Sequence, residues 1–347
     1  MTAGRGVASR IGRSAMLCAG LILGAACSSG GATPTPAGSG GSSPVATIAA
    51  PATATAIASC ACATPVPSGT VVAWGDDSSG QTDVPAGLTG VVAVTAGDEF
   101  SVALKSDGTV VAWGANDVGE TSVPAGANLI KAISAGSAFA LALTSTGEVI
   151  GWGDDTYGQV TAAAKLTSVV QISAAGSHGL ALESDGTVVA WGGNANGETD
   201  VPAGLKDVVQ VSAGYDFSLA VKSDGTVVAW GDKTVTDRPS GVTNVPAGLA
   251  GVSGVSAGYY HNLALKSAGT VVAWGTNDSG QTTVPAGLGN VVAVAAGGNF
   301  SLALRSDRTV VAWGGNDSGQ TTLPAGLSNV IAIDAGGSHG LAVVGHP

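Results

Sequence analysis

The chain has 347 residues, of which 11% are charged, and its 24 acidic residues outnumber its 13 basic ones for a formal net charge of −11 at pH 7. A nucleic-acid-binding face needs clustered lysine and arginine side chains that neutralise phosphates, whereas the basic residues of this chain are scattered singly. Composition and charge therefore argue against DNA or RNA as a partner.

Residues 1–26 have the pattern of a secretory signal peptide. Arg5, Arg10 and Arg13 precede an apolar run over residues 15–26 that is too short for a membrane-spanning helix. Residues 23–27 resemble the cleavage box of bacterial lipoproteins, which predicts Cys27 as the lipidated first residue of the mature chain. The protein is then exported to the bacterial cell envelope and held at the membrane by the lipid alone. Plain secretion after Ala26 is the alternative.

Residues 27–68 continue from the lipidated cysteine as a predicted flexible tether. They consist mainly of Ala, Thr, Ser, Gly and Pro without a charged residue, and such a segment cannot bury enough apolar surface to fold. Cys60 and Cys62 are interpreted as exposed cysteines without a catalytic role. A strained disulfide, an intermolecular bridge and a pair of metal ligands remain as alternatives.

Seven Trp-Gly pairs mark a tandem repeat over residues 69–347. The tryptophans are Trp74, Trp113, Trp152, Trp191, Trp230, Trp274 and Trp313. Their spacing is 39 residues, except for one step of 44 residues between Trp230 and Trp274. A period near 40 residues with strand-like content is typical of units that stack on one another in a propeller or solenoid.

Each unit contains short valine-rich runs bounded by Gly, Pro, Asp and Ser, which predict strands. In one unit these runs are residues 91–94, 102–104 and 109–113, and the Ser-Asp-Gly of residues 106–108 predicts a hairpin turn between the last two. No helix is expected in residues 69–347.

The two ends of the array complement each other. The first unit begins at Gly69 with the strand that ends in Trp74, and the last unit ends with residues 341–344, which lack a following strand. Pairing of the final strand with the first would leave no sheet edge open. The sequence therefore predicts an all-β fold, a closed seven-bladed β-propeller over residues 69–347.

One register position in each unit holds an aromatic or imidazole ring. It is occupied by Phe100, Phe139, Phe217, Phe300, His178, His261 and His339. We interpret it as a packing position, because the histidines are spread over three separate units without a second ligand at a characteristic spacing. No metal site and no cofactor are expected. The tryptophans are predicted to form wedges between adjacent sheets.

The units resemble the repeats of the regulator of chromosome condensation (RCC1) family, through the Val-Val-Ala-Trp-Gly of residues 110–114 and the Ala-Gly-x-x-Phe-Ser of residues 96–101 and their copies. The resemblance covers residues 69–347 and implies a seven-bladed propeller. In unit length the chain is similar to bacterial members that inhibit β-lactamases, which implies inhibition through one end face as an alternative function. The nucleotide exchange and chromatin contacts of nuclear members do not carry over to an exported acidic chain.

An up-and-down chain path places all four tyrosines and the expanded loop of residues 232–241 at the same end of the propeller. Tyrosine offers contact area and a hydroxyl at little entropic cost and often anchors interfaces. The predicted partner-binding residues are Tyr157, Tyr215, Asp216, Lys233, Arg238, Tyr259 and Tyr260.

These features predict a non-catalytic binding protein whose partner is another extracytoplasmic protein. A glycan or cell-wall component is the alternative partner, since tyrosine rings also stack on sugars. A monomer is expected. No catalytic set of Ser, His and Asp and no pair of catalytic carboxylates is distinguishable from the repeat, so an enzyme is not predicted.

Overall fold

The computed structural model describes residues 67–232 and 241–346. The predictions for the signal peptide, for Cys27 and for the tether with Cys60 and Cys62 lie outside these residues, as do Lys233 and Arg238. The described residues form 21 β-strands and one short 3₁₀-helix. The fold is an all-β repeat, as predicted.

The strands have three roles in the repeat. The inner strands are β2 (Val91–Ala96), β5 (Ile130–Ala135), β8 (Val169–Ala175), β11 (Val208–Ala213), β14 (Val252–Ala257), β17 (Val291–Ala296) and β20 (Val330–Ala335). The middle strands are β3 (Phe100–Lys105), β6 (Phe139–Thr144), β9 (His178–Glu183), β12 (Phe217–Lys222), β15 (His261–Lys266), β18 (Phe300–Arg305) and β21 (His339–Gly345). The outer strands are β1 (Gly69–Gly75), β4 (Val110–Gly114), β7 (Val149–Gly153), β10 (Val188–Gly192), β13 (Val227–Gly231), β16 (Val271–Gly275) and β19 (Val310–Gly314).

Each middle strand pairs antiparallel with one inner and one outer strand. Five of these triplets are separate three-stranded sheets, and the other six strands form one sheet in the order β20-β21-β1-β2-β3-β4. Within that sheet β1 and β2 share a single residue pair, Gly69 with Val91. The first strand, β1, pairs with the last, β21, over seven residue pairs from Gly69–Gly345 to Gly75–His339. The predicted pairing of the first and last strands is therefore confirmed.

Apolar cores lie between neighbouring sheets, and each core contains one tryptophan. In one of them Trp191 packs with Phe139, Leu141 and Ile172, which belong to β6 and β8. All seven tryptophans are at most 8% exposed. Each indole Nε1 also donates a hydrogen bond to a loop carbonyl of the preceding unit, such as Trp191 to Gln159 at 2.8 Å. The tryptophans act as wedges between sheets, as predicted.

The tryptophan between the first and last units of the repeat has the same geometry. Trp74 donates to the carbonyl of Gln320 at 2.9 Å, although 246 positions separate the two residues. Trp74 packs with Phe300, Leu302 and Ile333 in the corresponding core.

The predicted Ser-Asp-Gly hairpins are present. The turn after Lys105 closes with a hydrogen bond from the Gly108 amide to the Lys105 carbonyl, and Gly108 has φ of 80°. Asp107 accepts a hydrogen bond from the Thr109 amide. In the corresponding turn after β18 the third residue is Arg308, which has φ of 66°.

The prediction that residues 69–347 contain no helix was wrong at one place. Ala163–Lys165 form a 3₁₀-helix where the first unit has the Pro-Ala-Gly of residues 85–87. Alanine and lysine lack the backbone constraints that proline and glycine place on a turn, and they favour helical dihedral angles.

The fold has two ends of different composition. The loop end consists of the loops that follow each Trp-Gly and the short loops between inner and middle strands, and amide-to-carbonyl bonds such as Ala115 to Glu99 join these loops. The turn end consists of the Ser-Asp-Gly turns and the segments that enter each inner strand, which bonds such as Ile130 to Gly108 join.

Candidate functional site

Three tyrosines meet at the loop end. Tyr215 lies in the loop between β11 and β12, and Tyr259 and Tyr260 lie in the next such loop, between β14 and β15. The ring centroid of Tyr215 is 4.9 Å from that of Tyr259 and 6.1 Å from that of Tyr260, and those of Tyr259 and Tyr260 are 6.4 Å apart. Offset and edge-to-face arrangements at these separations are favourable. We call these three residues the tyrosine cluster.

Tyr259 reaches from its own loop to a loop far away in the sequence. Its hydroxyl donates a hydrogen bond to the carboxylate of Asp98, which lies between β2 and β3. The side chain passes Gly298 and Gly337, where an added Cβ would lie 3.5 Å from the Tyr259 ring and 2.8 Å from its hydroxyl. Glycine at position 337 makes room for the tyrosine, since a side chain there would collide with its hydroxyl. At Gly298 the separation from the ring is an ordinary contact, and an added Cβ would instead collide with the Gly337 carbonyl at 2.4 Å.

The carboxylates around the tyrosine cluster have shifted proton affinities. Burial raises the pKa of Asp98, and the hydrogen bond from Tyr259 opposes that shift. Burial and the neighbouring Glu198 carboxylate raise the pKa of Asp216. Burial raises the pKa of the Tyr215 hydroxyl, and the negative charge of Asp98 adds to the effect.

A cavity of about 100 Å³ lies beneath Tyr259 and is lined by residues of the inner strands. Five hydroxyls and one carboxylate on these strands accept a hydrogen bond from a backbone amide of the next inner strand. The bonds run from Ala96 to Asp334, Ala135 to Thr95, Ala174 to Ser134, Ala213 to Ser173, Ala257 to Ser212 and Ala296 to Ser256, at 2.9–3.1 Å. The wall of the cavity is thus polar, and the cavity is large enough for several water molecules.

Asp334 stands out in this wall because it is a carboxylate among hydroxyls. Burial raises its pKa to about 6, while hydrogen bonds from Ala96, Thr95 and Ala335 oppose the shift. The corresponding residue of the preceding unit is Ala295, which has no side-chain acceptor for the Ala335 amide. The carboxylate of Asp334 accepts a hydrogen bond from the Ala335 amide as well as from the Ala96 amide.

The predicted binding residues do not all come together. Tyr215, Asp216, Tyr259 and Tyr260 are neighbours at the loop end. Tyr157 is 62% exposed in the loop after β7, and the structure shows no ring contact between it and the tyrosine cluster. Lys233 and Arg238 belong to the sequence that follows β13 and are outside the described residues.

The three histidines have structural partners. His178 Nε2 lies 3.0 Å from the Ser218 hydroxyl, and that hydroxyl donates to the carbonyl of Glu198. Nε2 must therefore carry the proton and donate to Ser218. His261 pairs with Ser301 and His339 with Ser101 in the same way. The assignment of this position to packing agrees with the complete burial of all three rings.

The repeated Asp and Asn of the Trp-Gly loops also have a structural role. Asp77 accepts from the Thr82 amide at 2.9 Å, and Asn277 accepts from the Thr282 amide at 2.9 Å. Within residues 67–232 and 241–346, no three His, Cys, Asp or Glu side chains are placed to hold a metal ion. None of the described helical segments has the length and hydropathy needed to span a membrane.

Charge is divided unequally between the two ends. The lysines and arginines that the structure describes all lie at the turn end: Lys105, Lys131, Lys165, Lys206, Lys222, Lys266, Arg305 and Arg308. Fifteen described carboxylates lie at the loop end: Asp76, Asp77, Asp83, Asp98, Glu99, Asp117, Glu120, Asp154, Asp155, Glu198, Asp200, Asp216, Asp232, Asp278 and Asp317. Sequence reasoning missed this division, although the order of loops and turns along the chain contains it.

A family profile matches six segments of the chain. The profile is described as Regulator of chromosome condensation (RCC1) repeat, and it matches residues 91–120, 130–159, 169–198, 208–234, 252–281 and 291–320, just over half of the chain. The chain belongs to the RCC1 repeat family. Comparison with curated proteins gave no match.

Several solved structures have a similar fold. Prp20p from Saccharomyces cerevisiae, whose structure was described with its binding properties to Gsp1p and histones, aligns with a TM-score of 0.67 and 17% identity over 81% of this chain and 92% of that chain. Human WBSCR16 aligns with a TM-score of 0.62 and 17% identity over 79% and 98% of the two chains. The CRINKLY WD40 ectodomain of the Arabidopsis thaliana receptor kinase ACR4 aligns with a TM-score of 0.57 and 24% identity over 72% and 91%.

Proposed function

We propose that this RCC1 repeat protein is a non-catalytic binding module that recognises another protein through its loop end. The observation that carries the proposal is the tyrosine cluster, three large partly exposed rings from two adjacent loops. Clustered tyrosines are typical anchors of protein interfaces because they combine apolar contact area with a hydroxyl.

We infer that the scaffold beneath this surface is a closed ring of seven blades. The six-stranded sheet then comprises two blades that touch through the single pair of Gly69 and Val91. Two observations support closure. Each inner strand contacts two others in a circuit that includes β20 with β2, and the Gly337 amide donates to the Gly97 carbonyl. A rigid ring would hold the loops in fixed positions for binding.

The choice of a protein as partner has support from the family. Prp20p was described with its binding to Gsp1p and histones, and a second structure shows yeast Prp20 with Kap60. These relatives share the fold at 17% identity, so they support a class of partner and give no information about its identity. Inhibition of a secreted enzyme such as a β-lactamase is one specific form of the same activity.

The cellular location in this proposal comes from the sequence. The basic and apolar residues 1–26 direct export, Cys27 carries the lipid, and residues 28–68 hold the binding module away from the membrane. The protein then acts as a monomer at the cell envelope, or in the medium if cleavage follows Ala26.

The test uses the mature chain in three forms. These are the wild type, a variant with Tyr215→Ser and Tyr260→Ser, and a control with Val170→Ser and Val209→Ser. The control removes two exposed apolar side chains, 41% and 50% exposed, from the turn end. Tyr259 is kept because its hydroxyl holds Asp98.

Each form is immobilised and exposed to envelope and culture extracts, and bound proteins are quantified by mass spectrometry. We expect one or a few proteins to bind the wild type and the control and to be lost from the tyrosine variant. Retention of the same proteins by the tyrosine variant would reject the loop end as the binding surface. A glycan array with the same three forms tests the alternative, and tyrosine-dependent glycan binding without a protein partner would replace the proposal.

A further inference from the structure

The tyrosine cluster lies at the end of the molecule that carries almost all of the excess negative charge. Among the residues that the structure describes, the loop end has fifteen carboxylates and no lysine or arginine. The turn end has eight basic side chains, and these are balanced by acids such as Asp107 and Asp224, which form ion pairs with Lys105 and Lys222. The loop end therefore produces a field of one sign.

Several of these carboxylates act directly on the tyrosine cluster. Asp98 accepts a hydrogen bond from Tyr259, whose ring centroid is 4.9 Å from that of Tyr215, and Asp216 directly follows Tyr215 in the chain. Burial raises the pKa of the Tyr215 hydroxyl, and the charges of Asp98 and Asp216 add to this effect. Glu198 and Asp232 act in the same way on Asp216. Glu99 follows Asp98 in the same loop and accepts a hydrogen bond from the Ser79 hydroxyl at 2.9 Å.

Aromatic rings and carboxylates attract the same kind of ligand. The face of a tyrosine ring carries negative electrostatic potential and binds ammonium and guanidinium groups. A carboxylate beside the ring adds a charge-assisted hydrogen bond to the same group. A surface that combines both favours lysine and arginine side chains over neutral or acidic ones, and a field of one sign speeds association with a partner of opposite sign.

We propose that the loop end binds a polypeptide surface rich in lysine and arginine, with cationic side chains seated between the tyrosine cluster and the carboxylates of Asp216, Asp232 and Glu99. This inference rests on the proposed function and specifies the partner's chemistry. A polypeptide fits better than a small cation because the charge extends around the whole loop end.

The experiment uses an unbiased library of displayed twelve-residue peptides selected on the wild-type mature chain. Affinities of the enriched peptides are then measured on three variants. One has Tyr215→Ser and Tyr260→Ser. The second has Glu99→Gln, Asp216→Asn and Asp232→Asn. The matched control has Asp185→Asn, Asp224→Asn and Asp307→Asn, which removes the same number of charges at the turn end while keeping the oxygen that accepts from the backbone in each turn.

We expect enriched peptides with an excess of lysine and arginine. Their affinity should fall about tenfold in the loop-end charge variant, since each exposed ion pair contributes modestly, and should stay within about twofold of the wild type in the control. Affinity should also fall as salt rises.

Other outcomes separate this inference from the proposed function. Neutral or acidic peptides that depend on Tyr215 and Tyr260 would uphold protein recognition and overturn the cationic partner. An equal loss in the control would mean attraction to net charge alone and would overturn the inference. A cationic amino-sugar oligomer is tested in parallel. If it binds in a tyrosine-dependent way and no peptide binds, the choice of a polypeptide as the partner is overturned. Peptides of any composition that are indifferent to the tyrosine variant would refute the proposed function itself.

Discussion

The hydroxyl of Tyr259 donates a hydrogen bond to the carboxylate of Asp98, across the mouth of the central cavity and over 161 positions of sequence. Asp98 is surrounded by loops that lack a basic side chain in the described residues, and burial raises its pKa. The tyrosine hydroxyl stabilises the ionised form of Asp98 in place of water. The contact also links two sheets that are not neighbours in the sequence, β14–β16 with the sheet that contains β2 and β3.

Tyr259→Phe removes this bond while preserving the ring. We expect the free energy of unfolding to fall by about 1.5–3 kcal/mol at pH 7, because the partly buried Asp98 carboxylate loses a charge-assisted hydrogen bond. Urea unfolding followed by tryptophan fluorescence measures the change. The pKa of Asp98, followed by NMR, should rise further in the variant.

Tyr157→Phe is the matched control, since its ring is 62% exposed, and it should leave stability unchanged within about 0.5 kcal/mol. Equal stability of the wild type and Tyr259→Phe would mean that the contact contributes nothing.

The choice between phenylalanine and histidine at the first residue of each middle strand depends on the next unit. His178, His261 and His339 each face a serine, whereas the position that faces the four phenylalanines holds alanine, glycine or asparagine: Ala140, Gly179, Asn262 and Gly340. A buried histidine needs an acceptor for its ring N–H, whereas the phenylalanine side chain has no hydrogen-bond donor.

A double-mutant cycle on His178 and Ser218 tests this pairing. Ser218→Ala alone should destabilise the protein by about 1–3 kcal/mol, because the buried Nε2–H loses its acceptor. In the His178→Phe background the same substitution should be nearly neutral, because it reproduces the natural pair of Phe100 and Ala140. The coupling energy from unfolding measurements should reach about 0.5–3 kcal/mol. A coupling near zero would show that the two side chains contribute independently.

Much of the fold could be predicted from the sequence because it repeats. The Trp-Gly pairs and the Ser-Asp-Gly turns gave the strands and hairpins of each unit, and the incomplete units at the two ends predicted the pairing of β1 with β21. The helix at Ala163–Lys165 was missed because it replaces a turn in a single unit.

The candidate site was predictable in part. The chain path placed Tyr215, Tyr259 and Tyr260 at one end, but the contact of Tyr259 with Asp98 depends on the curvature of the whole array. The space for the Tyr259 hydroxyl depends on Gly337, and nothing in the sequence marks this glycine as a neighbour of Tyr259. The pairing of histidine with serine had a readable signal, which appears when each unit is compared with the next one.

The stability of the protein should depend on pH through groups whose proton affinity changes on folding. Burial lowers the pKa of His178 to about 3 and those of His261 and His339 to about 4, from about 6.5 in an unfolded chain. Between pH 6.5 and 4 the unfolded chain takes up protons that the folded state excludes, so the free energy of unfolding falls as pH falls. Each histidine contributes about 1.4 kcal/mol per unit of pKa difference. Asp334 has the opposite sign, because its pKa is raised to about 6 and the folded state takes up that proton first.

Urea unfolding between pH 7.5 and 4.5 separates the two effects. The double variant His178→Phe and Ser218→Ala should lose less stability on acidification than the wild type, because one excluded proton is gone. Asp334→Asn, which keeps an oxygen for the Ala96 amide, should lose more. Parallel curves for all three proteins would contradict both assignments.

The pairing of β1 with β21 gives a direct test of ring closure. Val72 lies opposite Ala342 in this pair, and cysteines at directly opposed positions of antiparallel strands lie within reach of a disulfide. A mature chain with Val72→Cys and Ala342→Cys, and with serine at Cys27, Cys60 and Cys62, should form the bond on mild oxidation. It should then unfold at a higher urea concentration than its reduced form, with a gain of about 2–5 kcal/mol for so long a loop. The control pairs Val72→Cys with Ala303→Cys, which belongs to β18 in another sheet and should give no intramolecular bond. Cross-linking of the control but not of the β1–β21 pair would mean that the chain ends do not meet, and the closed ring of seven blades would have to be abandoned.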